Sequence, residues 1–314
     1  MTIINNEDDL NIDQFNIPIL FMIFNKLSES KRVFESIKKC KPLKIYLASD
    51  GPRESFPEEK EIIESIRNYV VSNIDWDCKV YKLFRDQNLG CKYACSGAVN
   101  WFFENEEMGI ILEDDTLPNQ SFFKYCEELL NYYKEDERVG MIAGNAPINN
   151  HNFEKSYYFS RYVRFWGWAS WRRAWQNYDV EYENFYNFIK LGGLSSVSRS
   201  SREEKYWKKI ANSGITNTWD YQWLFASWQN SMLTVIPHIN LVTNIGFGQG
   251  ATHTVNIDSH HNNAESFQIN LPLTHPDFIF DNKFLDDKAI EQEFLPSFKR
   301  RFLYRFNKFK KLFL

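Results

Sequence analysis

The sequence predicts an α/β protein built on a mostly parallel, doubly wound sheet flanked by helices. Three observations carry that expectation. Apolar runs alternate with stretches of helical periodicity from residue 17 to residue 143. The runs are continuous rather than alternating, as expected when helices cover both faces of a parallel sheet. Finally, Asn25, Asp50, Arg53, Asn88 and the triplet Glu113-Asp114-Asp115 all fall just past the ends of those runs. Sheets of this kind bind ligands outside the carboxyl ends of their strands.

Taken in order, residues 1–16 read as a polar lead-in. Pro18 to Phe24 is the first buried strand, after which Ser28 is the expected cap of a helix with Val33, Phe34 and Ile37 on its inner face. Leu43 to Ala48 is the second strand and runs into Ser49-Asp50-Gly51-Pro52-Arg53, a turn signature. Pro57 with Glu58, Glu59 and Glu61 opens a helix whose stripe is Ile62, Ile63, Ile66, Tyr69 and Val70. Cys78 to Phe84 is the third strand, followed by the turn Asn88-Leu89-Gly90 and a helix carrying Ala94, Cys95, Ala98, Val99, Phe102 and Phe103. Ile110-Ile111-Leu112 leads into the acidic triplet. Phe122 to Tyr133 reads as a helix and Val139 to Ala143 as a strand.

After residue 145 the pattern breaks. Tyr157 to Val163 reads as a strand of alternating polarity. In the segment Phe165 to Trp175, Trp166, Trp168 and Trp171 lie around Gly167, which suggests close backbone approach of a ligand or of the chain itself. Residues 190–201, rich in Gly and Ser, are expected to form a loop. Glu203 to Ala211 and Trp219 to Trp228 read as helices, with Asp220 in the first turn of the second. Leu233 to Val242 is expected to be one strand. The glycine-punctuated loop Asn244 to Thr254 contains His253, a residue type suited to holding Mn²⁺ or phosphate.

Composition narrows the classes. A formal net charge of −4 argues against bulk nucleic-acid binding. No run approaches the roughly 18 apolar residues of a membrane span. Five Cys without a CxxC pair read as buried free thiols, and with no secretory signal they point to a reducing cytoplasm. An aromatic content of 17%, with ten Trp, is compatible with sugar or nucleobase stacking as well as with core. The tail from Phe298 to Leu314 sets Lys299, Arg300, Arg301, Arg305, Lys308, Lys310 and Lys311 among Phe and Leu without one acid. That pattern fits a helix lying on an anionic membrane surface.

The triplet carries most of the chemistry. Along a strand, Glu113 and Asp115 would point one way and Asp114 the other. Adjacent carboxylates at the end of a buried strand repel unless a cation or hydrogen-bond donors compensate. Hard divalent cations, Mg²⁺ or Mn²⁺, take such oxygen ligands, usually one or two carboxylates plus substrate phosphates.

Phe24-Asn25, Ser49-Asp50-Gly51, Asn88-Leu89-Gly90, Glu113-Asp114-Asp115, Trp166-Gly167-Trp168-Ala169, Trp219-Asp220 and His253, in this order, resemble a GT-A-fold nucleotide-sugar glycosyltransferase. The likeness covers roughly residues 17–255 and is to the bacterial surface-polysaccharide type, similar to glycosyltransferase family 2, and to the N-acetylglucosaminyltransferase I group. It implies a donor site of Phe24, Asn25, Asp50, Arg53, Asn88, Gly90, Glu113 and Asp114, with Asp50 and Arg53 toward the base and Asp114 toward the ribose. It implies Asp115 and His253 as ligands of Mn²⁺ or Mg²⁺, Asp220 as general base of an inverting transfer, and Trp166, Gly167, Trp168 and Trp219 against the acceptor. Glu113 departs from the usual Asp, and Trp219 stands where some members carry an acid.

The expected organisation is a lead-in over 1–16, a nucleotide-sugar-binding half over 17–145, an acceptor-binding and catalytic half over 146–260, and an extension with the basic tail over 261–314. The expected partners are a nucleotide-diphosphate sugar, a saccharide or lipid-linked saccharide, and an anionic membrane surface through 298–314, but no nucleic acid. The expected place is the cytoplasm, peripheral on the inner face of the cell membrane. Two rivals remain at this stage. A sugar-1-phosphate nucleotidyltransferase would want a Gly-rich loop after the first strand, where Asn25-Lys26-Leu27-Ser28 stands. A non-catalytic carbohydrate-binding module would leave the carboxylates unexplained.

Overall fold

The computed structural model describes residues 15–150, 152–212, 217–246 and 264–293. Its strands are β1 Ile19–Ile23, β2 Lys44–Ser49, β3 Lys79–Phe84, β4 Met108–Glu113, β5 Thr116–Pro118, β6 Val139–Ala143, β7 Tyr157–Ser160, β8 Trp168–Trp171, β9 Leu233–Pro237 and β10 Val242–Asn244. Its helices are α1 Leu27–Cys40, α2 Glu59–Ser72, α3 Gly90–Asn105, α4 Gln120–Tyr132, α5 Arg172–Trp175, α6 Glu183–Lys190, α7 Gly193–Val197, α8 Ser201–Asn212, α9 Asp220–Gln229 and α10 Lys283–Glu293. Eight strands form one sheet in the order β3-β2-β1-β4-β8-β6-β9-β7, and β5 pairs separately with β10. Only β7 and β8 run against the rest. This is the mostly parallel, helix-flanked sheet that the sequence predicts.

Chain direction explains the layering. From β1 to β2 to β3 the chain steps outward with α1 and α2 on one face, where Phe34, Ile66 and Leu129 of α4 share a core. From β3 it returns past β1 to β4. A right-handed connection that reverses its step must cross on the opposite face. Accordingly α3 buries Val99 and Phe102 in the second core, with Trp175 and Trp223. Within β4 the side chains split as period two requires, Ile110 and Leu112 to the first core and Ile111 to the second. The reversal between β1 and β4 is the topological switch point, where the two crossovers diverge and leave a crevice.

Several boundaries differ from expectation. The helix after β1 begins at Leu27, so Ser28 lies inside it and no side chain caps it. Ile62 is 39% exposed, leaving Ile63, Ile66 and Val70 as the buried stripe of α2. Residues 193–197 form a short helix that buries Leu194, because one apolar side chain found a place in the second core. β7 is buried along its whole length rather than alternating. The expected strand over 233–242 is two, interrupted after Pro237, which cannot donate to a ladder. The lead-in before residue 15, the loop with His253 and the tail 298–314 lie outside the described residues. Among the described residues no helix is long and apolar enough to cross a membrane.

Candidate functional site

β4 ends at Glu113, and Asp114 and Asp115 turn the chain into β5, so strand alternation no longer governs where the last two point. Thr116 closes this turn on itself: its Oγ1 accepts from the Glu113 amide and donates to the Glu113 carbonyl, both at 3.0 Å. The pairing of β5 with β10 then brings Ile245 and Gly246 alongside, the Ile245 amide donating to the Asp115 carbonyl at 2.8 Å. Gly246 lies so close that a Cβ there would sit 2.8 Å from the Asp115 carboxyl carbon. Only glycine fits. The segment leading to His253 therefore starts against Asp115.

The loop after β1 supplies the donors. The Phe24 amide donates to Asp114 Oδ2 at 3.1 Å, and Lys26 Nζ reaches Asp115 Oδ2 at 2.6 Å. Burial, and next the Asp115 charge, push the Asp114 carboxyl up to about 7. The same two causes in the same order, joined by Cys91 and Asp114, raise Glu113 well above the carboxylate range. Burial pulls the Lys26 ammonium down, but Asp114 and Asp115 outweigh it and its net shift is upward. Three carboxylates thus face one ammonium.

Past β2, the Asp50 carboxylate accepts from the Leu89 amide at 3.0 Å and the Gly90 amide at 3.2 Å, while Asn88 Nδ2 donates to the Gly51 carbonyl at 2.8 Å. Gly90 has φ of +75°, the left-handed region, so it can turn both amides toward Asp50. The Leu89 and Gly90 amides clamp Asp50, and Asn88 ties their turn to Gly51. Burial raises the Asp50 carboxyl despite these amides. Beside it, Glu59 gathers the Arg53 Nε at 3.0 Å, the Arg53 amide at 3.1 Å and Asn25 Nδ2 at 2.8 Å. The guanidinium carbon also lies 4.3 Å from the Phe56 ring centroid and 5.8 Å from that of Phe24. Burial raises the Glu59 carboxyl, but the Arg53 and Asn25 hydrogen bonds prevail and hold it below its usual range. Glu59 and Lys26 are the residues that sequence reasoning missed. Glu59 carried only the signal of an acid in a first helical turn, and Lys26 only its position after β1.

Asp220 opens α9, where Thr218 Oγ1 and the Tyr221 amide donate to its Oδ1. The Cys95 hydrogen bond lowers the Cys91 thiol, in the first turn of α3, against burial and the nearby charges of Asp220 and Asp50, and Cys91 in turn acts on Glu113. Asp50, Glu113 and Asp220, separated by 170 residues of chain, share one neighbourhood. Cys91 and Cys95, half-buried, line it.

The aromatic candidates sit differently. Trp168 is fully buried and Trp219 is 3% exposed, their rings stacked with centroids 5.7 Å apart. Both are core, so neither offers a ring face at the surface. Gly167 has φ of +62°, and what approaches it is the chain: a Cβ would meet Val242 Cγ2 at 2.9 Å, and its carbonyl accepts from the Gly144 amide at 2.7 Å. Trp166 remains half-buried. Asn145, just past β6 on the same sheet edge, keeps its Oδ1 buried without a hydrogen-bond partner among the described residues.

Among the described residues no group of three or more His, Cys, Asp or Glu side chains is arranged to hold a metal. The carboxylates of Asp114 and Asp115 outnumber the one ammonium of Lys26 that faces them, and oxygen ligands of this kind are the type that hard divalent cations take together with substrate phosphates.

No family model matches this sequence, and no curated protein matches it. Among solved structures the chain is similar to HddC from Yersinia pseudotuberculosis at 10% identity, covering 55% of this chain and 85% of that one, with a TM-score of 0.33. It is similar to S. aureus TarS 1–349 at 8% identity, covering 72% of this chain and 59% of that one, with a TM-score of 0.38. It is also similar to mouse xyloside xylosyltransferase 1 at 10% identity, covering 70% and 85%, with a TM-score of 0.36. Scores this low carry nothing about function, which rests on this chain's own residues.

The raised Asp114 carboxyl has a consequence for stability. The folded state binds this proton more tightly than the unfolded chain, so the contribution of Asp114 to stability is fully present below the ordinary carboxyl range and is lost as pH rises to about 7. Thermal melting in a chelator between pH 5 and 8.5 should show the midpoint dropping over that interval, and D114N should flatten the drop. Parallel curves for the two proteins would mean that Asp114 is not under this strain.

Proposed function

We propose that this chain is a metal-dependent glycosyltransferase that moves a sugar from a nucleotide-diphosphate donor to an acceptor hydroxyl. One observation carries the reading: the acidic turn at the switch point shares its neighbourhood with Asp50 and Asp220. That arrangement offers a place for a charged leaving group and a base close together. The buried Trp168 and Trp219 speak against a carbohydrate-binding module built on their ring faces.

In this reading Asp115, with Asp114 beside it and His253 from the following loop, would hold Mn²⁺ or Mg²⁺. The bound cation would supply Lewis-acid stabilisation of the charge that develops on the diphosphate. Phe24, Asn25, Arg53 and Glu113 wall the crevice. Asp50, clamped by the Leu89 and Gly90 amides, presents a carboxylate edge to the base, and Asp114 lies toward the ribose. Asp220 takes the proton of the acceptor hydroxyl as that oxygen attacks the anomeric carbon, and inversion follows from in-line displacement. Trp166, the one half-buried Trp of its segment among the acceptor candidates, would border the acceptor side. The basic tail 298–314 would rest the enzyme on an anionic membrane surface, near a lipid-linked acceptor.

Three outcomes test this. Melting against nucleoside diphosphates and nucleotide sugars with Mn²⁺ should reveal one preferred ligand; at about 100 times its Kd it stabilises by about 2.7 kcal/mol. The metal-dependent part of that shift should vanish in D115A, and its full retention would remove Asp115 from the site. D220N should keep donor affinity yet lose turnover by about 10²–10⁴-fold, the range of general-base catalysis; unchanged turnover would exclude Asp220 as the base. Deleting residues 298–314 should abolish sedimentation with anionic vesicles, and undiminished sedimentation would refute the membrane role.

A further inference from the structure

The ion pair of Lys26 with Asp115 has a geometry that bears on how the site is filled. Lys26 is the residue just before α1, and its carbonyl is held by both the amide and the hydroxyl of Ser30, at 2.8 and 2.6 Å. Its backbone is therefore anchored to the helix, and only the side chain is free to move. That side chain crosses the switch point to Asp115 Oδ2, with 20% and 17% of the two side chains exposed. Gly246 packs against the Asp115 carboxylate on another side, so closely that no Cβ would fit there. The Ile245 amide fixes the Asp115 carbonyl as well. The carboxylate assigned above to the metal is thus already occupied by a cation of the chain itself.

We propose that Lys26 is the resident counter-cation of the donor site. Its ammonium competes with the divalent ion for Asp115 Oδ2 and by itself attracts the diphosphate of the nucleotide. The inference rests on the donor reading given above and adds to it a residue that the sequence resemblance does not supply. Two physical arguments support it. An ammonium on a flexible four-carbon stem is a point charge that can exchange partners without moving the backbone. A diphosphate approaching this crevice meets three carboxylates, so its binding without metal depends on a fixed positive charge within reach. Lys26 is the only Lys or Arg that the structure pairs with the acidic turn among the described residues.

The test uses the full chain as wild type, K26M and K26R. Calorimetry is run with the preferred nucleoside diphosphate in EDTA, and separately with Mn²⁺ alone. Losing a charged hydrogen bond is worth about tenfold or more. K26M should therefore bind the nucleoside diphosphate at least about tenfold more weakly in EDTA, while K26R, which keeps the charge, should stay near wild type. With Mn²⁺ alone, K26M should bind more tightly than wild type, because its competitor is gone. Both changes are required, and either one alone overturns the proposal. So does a wild type that binds the nucleotide only when Mn²⁺ is present. If no nucleoside diphosphate binds the wild type with or without Mn²⁺, the donor reading itself fails and takes this proposal with it. Normal donor binding with Mn²⁺ in wild type and an unaltered K26M would refute Lys26 alone. Should K26M not fold, K26Q repeats the comparison.

Discussion

Negative charge that the strand itself cannot balance is the constraint around which this structure is arranged. β4 is buried on both faces, yet it runs into Glu113, Asp114 and Asp115. Water is scarce there, so the carboxylates must be held by neighbours. The Phe24 amide takes Asp114, the Lys26 ammonium takes Asp115, and the Thr116 hydroxyl ties the turn's backbone. Each of these neighbours is placed by an element that must be where it is. Phe24 and Lys26 follow β1 because β1 pairs in parallel with β4, Ile19 opposite Ile110. Moving that register by one residue would exchange the side chains that β4 sends into the two cores and strip the acids of their donors together.

The same pairing sets the site's second half. β8 enters between β4 and β6 and is antiparallel to both, so β4 and β6 point the same way and their carboxyl ends share one edge. Residues far apart in sequence thereby open onto a common crevice. Asp50 arrives from β2, Glu113 from β4, and Asp220 from the first turn of α9, with Cys91 at the start of α3 in their midst.

The parallel half was legible because its strands are unbroken apolar runs and its polar residues follow them at each end. What lay past β6 was not. Trp168-Ala169-Ser170-Trp171 looks like a packing knot, and only the filled slot between β4 and β6 makes it a strand. Periodicity cannot reveal an inserted antiparallel strand that is buried on both faces. Lys26 escaped because its partner is 89 residues away, and Glu59 because an acid in a first helical turn has a sufficient local explanation. The Lys26 pair exists only once β1 and β4 lie side by side, whereas Glu59 meets Arg53 only six residues back and Asn25 from the loop after β1. The surplus of aromatic residues pointed equally to stacking on sugars and to core, and the second core holds Trp168, Trp175, Trp207 and Trp223.

That core has a consequence for Asp220. Trp219 immediately precedes it, and its ring sits among Phe165, Trp168 and Trp175 at centroid distances of 4.8, 5.7 and 6.3 Å. The Tyr178 hydroxyl donates to the Trp219 carbonyl at 3.1 Å. The peptide that carries Asp220 is thus pinned on both its side-chain and its carbonyl face. Trp168 belongs to β8, and β8 pairs with β4 two residues before the acidic turn, Ile111 opposite Trp168. A continuous line of packed groups therefore joins Glu113 to Asp220 without passing through solvent. Rings in such a wall do not need to touch an acceptor to matter to it. By stiffening the path between the two carboxylates they keep the separation that any transfer between a bound donor and an attacking hydroxyl would require.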